Sequence, residues 1–313
     1  MIWVFNLKKE GNFSDEATGK KSGANILHLD RSMSEININI TTSIASNLNI
    51  EVEELQNRLE TARQKLFDAR EKRIPPSKDD KVLTDWNGLM IAALSKAAQV
   101  FGKPEYESVA RRAADFILKN MRDPAGKLYH RFRDGESAVP AFLDDYAFFT
   151  WGLIELYETT FEVAYLKEAL DLTDYLLRHF WDEGDGGFYL TSDNAEALIF
   201  RKKEIYDGAM PSGNSVSVSN LLRLGRITAN PELEEKASQI MRAFSETVSA
   251  SPIAYTYLMG ALDFAVGPAS EVVIVGDLQG GDTQAMLKAL RGEFMPNKVV
   301  VFRPAGVELS EIA

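Results

Sequence analysis

The sequence predicts an all-α protein, a partial α/α toroid with a small C-terminal β-α-β appendage. Three observations carry this. Residues 85–101 (DWNGLMIAALSKAAQVF) and 144–157 (DDYAFFTWGLIELY) are apolar almost all the way round, and a helix apolar on every side has to be buried on every side. The segments after them are one-sided: 104–120 keeps Tyr106, Val109, Ala110, Ala113, Phe116 and Ile117 on one stripe, and 164–180 does the same with Leu166, Leu170, Leu176 and Leu177. The second and third all-apolar segments follow the one before at roughly 60–70 residues, the period of a two-helix repeat with long connections. An inner ring of buried helices backed by an outer ring of striped ones is the simplest packing of such a repeat.

Taken in order, residues 1–50 carry no clear period, and 35–50 reads as irregular or weakly helical. Residues 51–73 form a striped helix through Val52, Leu55, Leu59, Ala62, Leu66 and Ala69, stopped by Pro75-Pro76. Four buried helices follow, over 85–101, 144–157, 212–224 and 253–264, with striped helices at 104–120, 164–180 and 231–248. Near the end, Glu271-Val-Val-Ile-Val275 and Lys298-Val-Val-Val-Phe302 read as strands flanking a helix near 282–292. The expected organisation is an irregular segment (1–50), toroid hairpins (51–267) and the appendage (268–313) packed on the toroid.

Composition sets bounds on function. The chain has 313 residues, 45% apolar and 26% charged, enough for a sizeable core. A net charge of −11 argues against nucleic acid and anionic lipid as partners. The absence of cysteine excludes disulfides, thiolate catalysis and Cys-ligated metals. No apolar run approaches the ~20 residues that span a bilayer. The opening Met1-Ile-Trp-Val-Phe5 is too short for a signal-peptide core, and a cytoplasmic location is expected.

The connections are unequal. Each buried helix passes to its striped successor through a short turn, whereas the returns, 121–143 and 181–211, are long, and loops beyond ~15 residues in a compact domain usually have a function. If all buried helices run the same way, the long loops and the helix amino termini share one end. Asp85-Trp86-Asn87, Asp144-Asp145-Tyr146 and Ser212-Gly-Asn214-Ser215 then face one axial cavity. N-capping explains each residue singly. The set, with carboxylates, amides and aromatic rings together, suits a sugar cleft.

Asp144-Asp145 is the sharpest pair, since one carboxylate can cap the helix while its neighbour points elsewhere, and close carboxylates push their pKa values apart as acid–base catalysis requires. Asp85 or Asp207 would supply the second carboxylate. In the long loops, Trp181 and Phe188 are candidate cleft walls with Trp86 and Tyr146, Arg201 is a candidate orienting group, and His130, Asn87 and Asn214 are further binding candidates. No His has metal-ligand spacing to another ligand, so neither a metal nor a cofactor is expected.

Several motifs are familiar in combination: Lys81-Val-Leu-Thr-Asp-Trp-Asn-Gly-Leu-Met90, Leu143-Asp-Asp-Tyr-Ala147, Gly186-Gly-Phe188 and Asp207-Gly-Ala-Met-Pro-Ser-Gly-Asn-Ser215, with Gly11-Asn-Phe13 and Asn25-Ile-Leu-His28 upstream. Together they resemble the YyaL-type family, whose members carry an N-terminal thioredoxin-like domain and then a six-hairpin α/α toroid similar to those of N-acylglucosamine 2-epimerase-like and six-hairpin glycosidase proteins. The resemblance implies that the thioredoxin-like domain and the opening hairpins are missing here, so an incomplete ring is expected. It also implies carboxylate chemistry on Asp85, Asp144, Asp145 and Asp207; for the paired histidines of epimerases on this fold, His28 and His130 are what the chain offers.

Two functions follow as expectations. One is a carbohydrate-active protein, hydrolase-like or isomerase-like, with a sugar substrate. The other is a non-catalytic interaction module that self-associates or pairs with a protein carrying the missing hairpins and thioredoxin-like domain.

Overall fold

A computed structural model describes residues 5–28, 38–196 and 199–306. The chain divides into two compact units, Met1–Asp79 and Asp80–Ala313. The boundary lies after Pro75-Pro76 and not at residue 50, because helix α2 (Val52–Glu71) packs with α1 (Ile38–Leu48). In this first unit Asn12 ties two chain segments together: its Nδ2 donates to the carbonyls of Asn6 and Ile26, both at 2.8 Å, and its Oδ1 accepts from the Ile26 amide at 2.6 Å.

The second unit begins with strand β1 (Val82–Leu83) and helices α3 (Thr84–Phe101) and α4 (Pro104–Asn120). Strands β2 (Tyr129–Arg133) and β3 (Glu136–Pro140) follow, then α5 (Leu143–Thr160), α6 (Val163–His179), α7 (Gly213–Thr228), α8 (Pro231–Ala243), the short α9 (Ser245–Ala250) and α10 (Thr256–Val266). Helices α3, α5, α7 and α10 pack side by side in that order, and α4, α6 and α8 each pack on their predecessor as antiparallel hairpin partners. Contacts along the inner row show that its helices run parallel. Gly88 meets Phe148 near one end of α3 and α5, while Thr159 Oγ1 donates to the Ser95 carbonyl near the other. Gly213 meets Asp144, and Arg223 meets Glu155. The inner helices therefore gather their amino termini at one end, as a toroid requires.

Every inner-to-outer turn is made by a residue in the left-handed region: Gly102 (φ 62°), Phe161 (φ 57°) and Ala229 (φ 54°). This ends the inner helix abruptly and turns the chain back within a few residues. The striped segment expected over 231–248 breaks at Phe244 into α8 and α9.

Burial separates the inner helices. Almost the whole of α5 is buried, as its all-round apolarity demands. Helix α3 is not: Trp86, Met90, Val100 and Phe101 are exposed along one side, although the sequence reads as apolar throughout. The reason lies in neighbours. Helix α5 has α3 on one flank and α7 on the other, with α4 and α6 behind it, whereas among the inner helices α3 packs only on α5.

The long return 121–143 also departs from expectation, since it forms an antiparallel sheet in the order β1-β2-β3. Asp134 (φ 54°) and Gly135 (φ 81°) turn β2 into β3, the positive-φ pair that suits a two-residue hairpin. The appendage is two parallel strands, β4 (Ser270–Gly276) and β5 (Lys298–Pro304), joined through α11 (Gly281–Gly292). It docks on the carboxyl end of α5, where Arg291 donates to the Glu158 and Thr159 carbonyls at 3.3 and 2.9 Å and complements the helix dipole. Among the described residues no helix is long and apolar enough to cross a membrane.

The α3–α5 contact is set by glycine. A Cβ on Gly88 would lie 2.5 Å from the backbone of Phe148 and Phe149, and one on Gly152 would lie 2.8 Å from the Gly88 carbonyl. Gly88→Ala is expected to lower stability by about 1–3 kcal/mol through overpacking. Gly260→Ala, whose Cβ would meet nothing within 4 Å, should leave stability unchanged or slightly raised; urea unfolding of both variants checks this.

Candidate active site

At the amino-terminal end of the inner row the chain concentrates carboxyl groups. Asp145 is fully buried at the third position of α5. Its Oδ2 accepts the Phe142 amide at 2.8 Å, a capping contact. Its Oδ1 accepts the amide of Asp85, at the start of α3, at 3.0 Å. The ring of His130, carried on β2, brings Nδ1 to 2.9 and 3.0 Å from the two oxygens. This hydrogen bond raises the His130 pKa above its ordinary value against the opposing effect of burial. The His130 ring packs edge-on to Phe142 at 5.5 Å, and Nδ1 faces inward, so Nε2 is its outer nitrogen.

Asp144 points the other way. It is half-buried, and a Cβ on Gly213, the first residue of α7, would come within 2.4 Å of its Oδ1. Burial, then the charge of Asp145, pushes the Asp144 carboxyl up to about 6, with Asp85 and Glu204 adding smaller repulsions and the Gly213 amide opposing them. Asp85 is buried, its Oδ1 accepting the Trp86 amide at 2.7 Å, and burial and Asp145 raise its pKa too. Asp85, His130 and Asp145 each bring an atom capable of metal ligation within 4.8 Å of the others. Sequence spacing concealed this convergence. Both Asp145 oxygens already accept backbone amides, so the arrangement is that of a hydrogen-bonded cluster.

Other residues named from the sequence are positioned as structural groups. Asp207 Oδ1 accepts the Ser212 amide at 2.9 Å, and its Oδ2 accepts those of Tyr257 and Leu258 at 2.9 and 3.1 Å, so it caps α10. Asn214 is buried and bonds both backbone groups of Phe188 and the Glu204 carbonyl. Tyr146 is buried, its hydroxyl accepting the Leu128 amide at 2.8 Å, and its ring stacks on Tyr175. Phe188 is fully buried and packs edge-on to Trp181, which is itself nearly buried, lies under Lys236 at 4.1 Å and lines a surface pocket against α8. Arg201 donates to the Thr191 and His179 carbonyls and lies over the Tyr189 ring at 4.2 Å, binding the long loop to the end of α6. Asn87 donates to the Leu83 carbonyl at 2.7 Å. His28 is exposed in the first unit, against Asn6. Of the aromatic candidates, Trp86 alone is exposed at the cluster.

Over 309 residues, 95% of its length, the chain is 34% identical to spermatogenesis-associated protein 20 of Homo sapiens and 33% identical to the protein of that name in Rattus norvegicus. The chain is a homologue of these proteins. It covers 38% of the length of each. This agrees with the YyaL-type resemblance carried by its motifs. No family model matches the chain. Among solved structures, the GH76 alpha-mannanase of Bacteroides thetaiotaomicron superposes with a TM-score of 0.50, covering 69% of this chain and 59% of that one at 16% identity. That likeness shows the shared α/α toroid fold.

The motifs acquire physical meaning in this setting. Asp85-Trp-Asn-Gly88 starts α3 with an acid, an exposed ring and the glycine that admits α5. Pro211-Ser-Gly-Asn-Ser215 starts α7 with a Ser212 cap accepting the Ser215 amide at 3.1 Å, a glycine that leaves room for Asp144, and the Asn214 clamp. Glu204 and Phe142, both beside the cluster, had no sequence signal.

The His130–Asp145 pair is open to direct measurement. The raised pKa means that this pair stabilises the fold at acid pH and that the contribution is lost as pH rises through the folded-state value. NMR titration should show His130 above the ordinary histidine value, and Asp145→Asn should lower it.

Proposed function

We propose that the chain is a carbohydrate-active protein, sugar hydrolase-like or isomerase-like, in which Asp144 is the acid–base group. The observation that carries this reading is the Asp144 carboxyl, raised to about 6 beside Asp85 and facing the start of α7. A carboxyl poised near neutrality can give and take a proton in one cycle, which general acid–base catalysis requires. Asp85 is the second carboxylate. His130, oriented through Nδ1 by Asp145, presents Nε2 to the substrate, and the exposed Trp86 ring is a face for sugar C–H groups. Likeness of fold to an alpha-mannanase supports the sugar class.

Assay of glycoside hydrolysis and of sugar epimerisation across pH tests the proposal. With Asp144 as the acid, the rate should fall as pH rises through about 6. Asp144→Asn should cost on the order of 10²–10⁴-fold, and Asp207→Asn should reduce stability and leave the pH limb in place. Full activity in Asp144→Asn would overturn the assignment.

A second reading, the interaction module, is favoured by the exposed side of α3, where Trp86, Met90, Val100 and Phe101 are 59, 57, 60 and 67% accessible. Contiguous exposed apolar surface suits a partner, here a second copy or a protein supplying further hairpins. Sedimentation should then show association that Met90→Glu with Phe101→Glu abolishes; a monomer at all concentrations would count against it.

A further inference from the structure

A cavity of about 470 Å³ opens among α3, α5, α7, α10 and the segment leading into β5. One wall is aromatic: Trp151 and Tyr257 meet edge-on with centroids 5.3 Å apart. Beside Gly260 the wall leaves open space, since a Cβ there would touch nothing within 4 Å. The floor is charged. Arg223, buried, donates to Glu155 at 2.7 Å and lies 3.2 Å from Glu158, while Lys96 lies 2.8 Å from the other Glu155 oxygen. Burial opposes ionisation of Glu155, but Arg223 and Lys96 outweigh it and hold the carboxyl below its ordinary value.

Two groups in this cavity lack partners. Glu158 Oε1, on a side chain only 4% exposed, makes no hydrogen bond among the described residues. The Lys298 ammonium, half-buried on the facing wall, makes no hydrogen bond or ion pair there either. Burial, with Lys96 close by, pushes the Lys298 pKa down. An unpartnered buried oxygen and a half-buried cation without an ion-pair partner are both groups whose free energy a ligand can lower. They ask for opposite things: Glu158 for a hydroxyl donor, Lys298 for an anion. The C–H face of a hydroxylated ring between them would lie on Trp151 and Tyr257.

We propose that this cavity is a binding site for an acidic sugar, a monosaccharide whose carboxylate or phosphate pairs with Lys298 and Lys96, whose hydroxyl donates to Glu158 and whose ring rests on Trp151 and Tyr257. Its size suits a small molecule. The site is separate from the Asp85–Asp144 cluster, and its occupancy does not depend on what Asp144 does.

Isothermal titration calorimetry tests this with four probes: glucuronate, glucose 6-phosphate, glucose and inorganic phosphate. The expected result is binding of glucuronate, glucose 6-phosphate or both, with glucose and phosphate each at least about tenfold weaker, the loss of one charge-assisted contact set. Glucuronate ahead assigns the carboxylate form, and glucose 6-phosphate ahead the phosphate form. Lys298→Met and, separately, Lys96→Met should weaken the tighter acid by about tenfold or more, with unchanged melting showing intact folding, whereas Asp144→Asn should bind it as before. Failure of both acids to bind, equal binding of inorganic phosphate, or undiminished affinity in folded Lys298→Met would overturn the proposal. Since the readout is binding and persists in Asp144→Asn, its failure is distinguishable from a failure of the catalytic assignment.

Discussion

A single buried carboxylate joins three segments of this protein. Asp145 accepts the amides of Phe142 at the start of α5 and Asp85 at the start of α3, and holds the His130 ring from β2. A carboxylate with no access to water is costly unless each oxygen is satisfied, so the three segments have to meet there. That meeting fixes the parallel alignment of α3 and α5 at their amino termini, the side on which the β1-β2-β3 sheet lies, and the direction in which Asp144, next in sequence, must point.

The chemistry of the cluster follows from this division between adjacent aspartates. Asp145 is saturated with hydrogen bonds and so works as an electrostatic anchor. Asp144, with the single Gly213 amide against burial and three like-charged neighbours, is left with a proton affinity shifted toward neutrality. The close approach of α7 depends on a missing side chain, because any Cβ on Gly213 would strike the Asp144 oxygen. The site is thus built from backbone proximity, with glycines at the points where inner helices meet and caps such as Ser212 and Asp207 satisfying the neighbouring amides.

Deeper along the same helices, polarity is handled differently. Glu155, Glu158 and Arg223 are all nearly inaccessible, and such a network stabilises a fold only when its members satisfy one another. Two acids share one guanidinium here, and the assistance of Lys96 reaches Glu155 but leaves one Glu158 oxygen unmatched. Local charge is balanced while hydrogen bonding is not, the imbalance that a bound molecule is suited to correct.

Sequence by itself determined the alternation of all-apolar and striped helices, because a period of 3.6 and an apolar stripe are local properties of the chain, whereas the burial of each apolar helix depended on its neighbours. It determined the parallel strands of the appendage and the placing of polar residues at inner helix starts for the same reason. It also singled out Asp144-Asp145 as a pair in which one carboxylate can cap the helix while its neighbour points elsewhere. Tertiary structure alone decided which of the two does the capping, since that depends on which carboxyl finds the Asp85 and Phe142 amides. It turned Trp181, Phe188, Tyr146, Asn214 and Arg201 into core and clamps, because an aromatic or amide beside a helix start serves a cleft or a core equally well until its neighbours are known. It also brought His130 to Asp145 through the β2–β3 hairpin, where the sequence reads only as a long loop, because strand pairing with β1 and the distant carboxylate are set by packing. A local pattern specifies an element, and only packing specifies which side chains share a dielectric and a hydrogen bond.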